Sequence, residues 1–265
     1  MDKLVIFNVI QLIIIAALLV LVKRTVKSER ARSALLLFSA IVTILFHYST
    51  FIYHLFTGGA AIEYLADTPN LILPIYPCNV VMWSCLILPF LRNKESGLAL
   101  LLSDYIFWFG IFSTLVGMFA NVDFINNPTL KDYEVTKSIV AHATLLFNLL
   151  LLPIFGRIRV NFWQNMKNMI ISVICMYVIG LYCNLVFEVL VSYERAYDVN
   201  SMFIIHSPFE GLDFLTYPVI SLAALFLYFL LFAVCDLVKY KKGERMFDRL
   251  LRSLRSKRCN SDNDV

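Results

Sequence analysis

Charge is what this 265-residue chain has least of. Asp, Glu, Lys and Arg make up 16% of it, against 60% hydrophobic residues. A soluble domain carries about 25% charged residues, so a water-facing surface all round is excluded. Glycine and proline are sparse, at 9 and 8 residues, which excludes collagen-like and linker-like chains. Of the six cysteines, Cys78, Cys85, Cys175, Cys183 and Cys235 fall inside apolar runs and only Cys259 does not, so no disulfide framework is indicated. No cysteine and histidine stand at a zinc-site spacing, and neither a metal nor another cofactor is expected. No GxSxG, HExxH, Walker or GxGxxG pattern is present, which removes the motif-bearing hydrolases, metalloproteases and nucleotide enzymes.

What the chain does have is apolar runs of about 20 residues, the length that spans a bilayer as a helix. Seven are read, over 4–22, 34–56, 75–91, 97–120, 138–156, 165–190 and 214–238. None alternates as a barrel strand would, and backbone groups in lipid must be satisfied internally, so the runs are helices. The expected fold is all-α: a polytopic helix bundle with about seven transmembrane helices in the cell membrane. The first run is too long for a signal-peptide core and ends on Lys23 and Arg24 rather than at a small-residue cleavage site, so it reads as a retained helix. Residues 1–240 form one membrane domain and 241–265 a basic tail.

The net charge of +4 is no nucleic-acid signal, because the charges are sorted by side. Nineteen of the 23 Lys and Arg residues fall in the loops after runs one, three and five and in the tail. The positive-inside rule makes that side cytoplasmic, with the N-terminus outside. In the tail RMFDRLLRSLRSKR, Met246, Phe247, Leu250, Leu251 and Leu254 share a helical face flanked by Arg245, Arg249, Arg252 and Arg255. That pattern suits an in-plane helix on the anionic inner leaflet, or a simple topology anchor.

Orientation assigns each polar residue a depth. Run three opens with LPIYPCNVVMW, and Pro74 and Pro77 suit a helix start, where proline costs no hydrogen bond. Cys78 is then expected in the first turn, at the outer face. There the positive end of the helix dipole favours a thiolate, while burial in lipid disfavours it. His142, in SIVAHATLLFNLLLLP, is expected one turn below the same face. Ionisable groups in a membrane point to function by default. Cys78 therefore admits two readings, inert packing or a nucleophile activated by His142. Glu188, Asp213, Asn148 and His54 are candidates to orient the imidazole. His47 reads as an inter-helix hydrogen bonder, His206 as a solvated loop residue, and Asp104 as a cap or a partner of Arg92 or Lys94. A Cys/His pair at the outer interface would meet phospholipid esters, so acyl transfer or hydrolysis is the natural chemistry. A small-solute or lipid transporter is the alternative, though it would want polar residues through the midplane and inverted repeats. A non-catalytic membrane protein is the third possibility.

Three stretches carry a resemblance. LPIYPCNVVMW resembles the LPxHxC segment of the YwaF-type integral membrane proteins. SIVAHATLLFNLLLLP resembles the histidine-containing fifth span of that family, and NSMFIIHSPFEGLDFLTYP resembles its loop before the last span. That family is similar to a eukaryotic transmembrane acyltransferase that makes polyunsaturated ether phospholipids and uses a cysteine and a histidine. More distantly it looks like the androgen-induced hydrolases of branched fatty-acid esters, which use threonine and histidine. The resemblance puts the cysteine on Cys78 and the histidine on His142, and places Asn200 and Asp213 at the family's loop positions. It implies membrane phospholipids as partners. Tyr76, Ser201 and the Thr216–Pro218 turn depart from the family pattern.

Overall fold

The computed structural model describes residues 2–57, 61–91, 93–119, 129–207, 211–241 and 243–252. Arg92, Leu254, Arg255 and Cys259 lie outside the described residues. Among the described residues every regular element is helical. The long helices are α1 (Asp2–Thr25), α2 (Glu29–Thr57), α7 (Tyr133–Ile154), α8 (Phe162–Leu190) and α10 (Tyr217–Lys239), with α5 (Gly97–Asp104) and α6 (Gly110–Phe119) joined through a π-helical turn at Tyr105–Phe109. Shorter are α3 (Ala61–Asp67), α4 (Pro77–Ile87) and α9 (Tyr193–Val199).

Local chemistry sets the boundaries. Ser96, Asp132, Asn161 and Ser192 each accept a backbone N–H of the following turn, starting α5, α7, α8 and α9. α4 starts on Pro77, and the Asn79 side chain turns back to accept the Tyr76 N–H at 3.2 Å.

Among the described residues six helices are long and apolar enough to cross a membrane: α1, α2, the joined α5–α6, α7, α8 and α10. The expected third span is different. Its eleven α-helical residues run into a three-residue 3-10 turn, Leu88–Phe90, around Pro89. That is roughly 20 Å of helix, short of the ~30 Å hydrocarbon core. Prolines bound it at both ends, and the chain before it enters the bundle without helical structure. The fifth span also begins earlier than expected, at Tyr133, because Asp132 caps it. Lys137 is therefore inside a helix rather than in a loop.

α7 is the central helix, with α1, α2, α4 and α6 packed on it. α8 gathers α5, α9 and α10. The main core runs through Leu36, Ala40, Val81, Ile106, Leu149 and Leu152. At Gly110 a Cβ would lie 2.9 Å from Val81 and 3.0 Å from Leu149, so the missing side chain lets α4 and α7 both close on α6. Outward faces remain apolar and exposed, as at Ile13, Phe38, Val178, Leu222 and Phe226. Such surface suits contact with lipid.

The tail does not lie free with its whole apolar face outward. Met246 is buried against Phe162, Met169, Tyr228 and Phe232. Asp236, near the end of α10, accepts the Met246 N–H at 2.7 Å and an Arg249 guanidinium N–H at 3.0 Å. Phe247, Leu250 and Leu251 stay exposed.

Candidate functional site

Two non-helical segments meet inside the bundle beside Cys78. The first is the approach to α4, where Ile75 is buried. The second follows α9, where Asn200, Met202 and Phe203 have φ of 42°, 56° and 58°. The two are stitched together at the Ile75 carbonyl, which accepts the Met202 N–H at 2.9 Å and the Ser201 hydroxyl at 3.2 Å. Asn184 of α8 accepts the Ser201 N–H at 2.7 Å and donates to its carbonyl at 3.3 Å. The cause is the need to satisfy backbone groups that no helix ladder serves. Gly180 makes room, since a Cβ there would lie 2.8 Å or less from Met202 and Ile204 side-chain atoms. Three positive-φ residues other than glycine are strained conformations held by surrounding structure.

Cys78 sits one residue into α4, half-buried, next to this junction. The Tyr105 hydroxyl lies 3.3 Å from the Pro77 carbonyl oxygen and 3.2 Å from Met176 Sδ; the carbonyl is the stronger acceptor. The junction is level with Gly180, ten residues before the end of α8 at Leu190, or about 15 Å along its axis. Cys78 is thus in a first turn, as expected, at a height about 15 Å before the end of α8.

His142 lies over α6. Its Nδ1 is 2.8 Å from the Ser138 carbonyl oxygen, which can only accept. Nδ1 therefore carries the proton, and in a neutral ring Nε2 carries the lone pair. Nε2 faces Gly117, where a Cβ would come within 2.3 Å of it. No hydrogen bond joins His142 to Cys78. Their offset can be read along α6, because Val81 and Leu149 both meet Gly110. Cys78 is three residues beyond Val81, and His142 seven residues beyond Leu149 towards the same end. The two are separated by about 6 Å along the helix direction. Between these heights Thr114 of α6 is fully buried, and its hydroxyl has no hydrogen-bond partner.

The expected supporting residues do not gather on His142. The His54 ring stacks near Tyr64, with centroids 5.3 Å apart. Glu188 and Asp213 are exposed. Asn148 donates to the Leu36 carbonyl at 3.0 Å. Buried Asn200 organises its own loop, accepting the Ile205 and His206 N–H groups and donating to the His206 carbonyl. The Ser138 carbonyl does the orienting instead. His47 Nε2 is 3.5 Å from the Asn70 carbonyl oxygen. His206 is not simply solvated: its ring packs 4.5 Å from Tyr197, and both ring nitrogens face backbone carbonyls.

A family model described as the TMEM164 family matches residues 2–237. The chain belongs to the TMEM164 family. No curated protein and no solved structure matches it. The span that defines this TMEM164 family member contains Cys78, His142, Asn200 and Asp213 and stops before the tail.

Within this TMEM164 family chain, one buried polar group escaped the sequence reading and another has partners it did not foresee. Lys137 is 8% exposed and donates to Thr50, Tyr64 and Glu134. Glu134 also accepts the Thr50 and Tyr64 hydroxyls, so one network ties α2, α3 and α7. The signal was the Glu–Lys pair at i, i+3 opening α7. Of the two basic candidates for Asp104, Arg92 lies outside the described residues and Lys94 is not its partner. Asp104 is buried and accepts from Asn165 at 2.9 Å and Asn168 at 2.7 Å, while Lys94 bonds Glu29. Asp104 closes α5 on the face turned to α8, just before the π-turn, so two amides of α8 reach it and Lys94 does not. Among the described residues no group of three or more His, Cys, Asp and Glu side chains could hold a metal ion.

Proposed function

We propose that this membrane protein carries out acyl transfer or acyl hydrolysis on membrane phospholipids, with Cys78 as nucleophile and His142 as proton carrier. The observation that carries the reading is the pair of half-buried groups one turn apart along α6: a thiol at a broken-helix start and an imidazole whose Nε2 keeps its lone pair. The resemblance of three chain segments to the YwaF-type family, itself similar to a Cys/His transmembrane acyltransferase, supports it. Non-helical backbone inside a membrane protein is tolerated where protein buries it or where it lines a cavity, and here it frames Cys78.

The chemistry runs as follows. His142 Nε2 takes the thiol proton, directly or across the Thr114 hydroxyl, and the sulfur attacks an ester carbonyl carbon. The C–O ester bond breaks, and the leaving alkoxide takes the proton from His142. Cys78 then holds the acyl group as a thioester. A second lipid alcohol, or water, attacks that thioester, gives its proton to His142 and releases the thiol. The ester would sit between the two heights, which differ by about 6 Å along the helix direction. The positive-inside rule keeps the basic end cytoplasmic and the Cys78 junction on the outer half of the bundle. Phe247 and Leu251 of the tail, with Arg245 and Arg252, would then face the anionic inner leaflet.

The test is the full chain in phosphatidylcholine liposomes containing a labelled acyl chain. A hydroxylamine-labile acyl adduct on the protein is expected, lost in Cys78→Ala. Turnover in His142→Gln should fall by about 10²-fold or more, the usual scale of general acid–base catalysis. A Cys78→Ala protein that still turned over lipid would refute the proposal.

A further inference from the structure

The basic end of the bundle holds a cavity of about 380 Å³, lined by Glu29, Arg30, Ser33, Pro89, Lys94 and Arg157. That volume lies within the range of small-ligand pockets. It is far from Cys78: Pro89 is eleven residues along α4 and its 3-10 extension, or roughly 16 Å.

Arg157 is the unusual member. It is 6% exposed, yet among the described residues its side chain makes one hydrogen bond, to the Leu91 carbonyl oxygen at 3.5 Å. A guanidinium has five N–H donors, so most of the fork is left to a ligand or solvent in the pocket. Burial pushes the Arg157 pKa down, and the charge of Glu29 opposes this. Nothing among the described residues otherwise answers this charge. Glu29 is itself held by Arg32 at 2.7 Å and by Lys94. The wall thus carries Arg30, Lys94 and Arg157 against one carboxylate, an excess of two positive charges. Glu29, Arg30 and Ser33 also occupy the opening turns of α2, where the helix dipole adds positive potential.

We propose that this cavity is an anion site for a phosphomonoester. Its two negative charges match the excess on the wall, and its oxygens match the fork of Arg157. Ser33 supplies a hydroxyl donor and Arg30 the second cation at the mouth. A carboxylate or a phosphodiester brings one charge and leaves the wall positive. The group could arrive as a lipid headgroup of the adjoining leaflet or as a soluble phosphate ester; the chemistry at the site is the same. The proposal is independent of the Cys78 chemistry and of which side of the membrane the basic end faces.

The experiment uses the full chain in phosphatidylcholine nanodiscs. Binding is measured for three probes at matched ionic strength: phosphatidic acid, the diester phosphatidylglycerol, and soluble inorganic phosphate. Phosphatidic acid is expected to bind about tenfold more tightly than phosphatidylglycerol, the scale of one charge-assisted hydrogen bond. Saturable binding of inorganic phosphate as well would assign the site to soluble ligands, and retention of phosphatidic acid alone would assign it to a headgroup. Arg157→Gln should abolish the preference. Because that variant could fail to fold, Arg30→Gln is measured beside it and should weaken phosphatidic acid binding about tenfold. Equal binding of the two lipids with no binding of inorganic phosphate, or wild-type affinity in Arg30→Gln, would overturn the assignment.

Discussion

Gly117→Ala tests the placement of His142 without any assay of function. A Cβ at residue 117 would lie 2.3 Å from Nε2, 2.4 Å from Cδ2 and 2.9 Å from Cε1 of the imidazole. Carbon and ring atoms do not approach that closely, so the ring must move or α6 must withdraw from α7. Overpacking of this kind costs about 1–3 kcal/mol. Moving the ring also strains the 2.8 Å bond from Nδ1 to the Ser138 carbonyl, worth about 1 kcal/mol. Against these stands a gain of up to about 1 kcal/mol for alanine over glycine within a helix. The net expectation is destabilisation of about 1–3 kcal/mol. The sign reverses when the ring is absent: in a His142→Ala background Gly117→Ala should be neutral or stabilising by up to about 1 kcal/mol. The coupling between the two substitutions is then about 1–4 kcal/mol, in the upper part of the usual range for residues in contact or above it. Equilibrium unfolding of the four proteins in one detergent measures it. Additive effects within about 0.5 kcal/mol would refute the packing of His142 on Gly117, and with it the assignment of the lone pair to Nε2 facing α6.

Three further predictions concern the polar groups inside the bundle. Lys137→Met should destabilise by about 1–3 kcal/mol by leaving the Glu134 carboxylate without its cation, and Glu134→Gln added to it should recover part of the loss, as thermal unfolding would report. Asp104→Leu should cost a similar ~1–3 kcal/mol, because the Asn168 amide loses its Asp104 acceptor and Asn165 keeps only the Arg159 carbonyl; Asn168→Leu should cost less, since Asp104 keeps one amide partner. Asp236→Ala removes the acceptor of the Met246 N–H and the Arg249 guanidinium. Limited trypsin digestion should then cut at Arg245 and Arg249 faster, with the bundle intact; an unchanged cleavage rate would show that Met246 burial alone holds the tail.

Much of the architecture was legible in the chain because it rests on local properties. Hydropathy over about 20 residues identifies spans wherever the helix is long, and it located α1, α2, α5–α6, α7, α8 and α10. Proline chemistry and hydropathy placed the start of α4 near Ile75, two residues before its start at Pro77, and with it Cys78 in a first turn. The length of α4 was misjudged because Ile75 and Tyr76 are as apolar as the helix that follows. Hydropathy does not distinguish an extended buried segment from a helical one.

What the tertiary structure alone decided are the partners and the depths. A carboxylate such as Asp104 has several cations and amides within reach of an unfolded chain; only the packing of α5 on α8 selects Asn165 and Asn168, more than 60 residues away. Lys137 counts as a loop charge in a tally of basic residues, yet the contact of α2 with α7 buries it. The depth of Cys78 followed from the meeting of the Ile75 and Ser201 segments, which share one carbonyl across 126 residues. Composition and charge sorting thus determined that this is a helical membrane protein and which end is basic, since those are sums over the chain. Which polar groups face one another, and which keep few partners or none, as at Arg157 and Thr114, depends on how the helices close, because burial and hydrogen-bond satisfaction are properties of neighbours in space and not of neighbours in the chain.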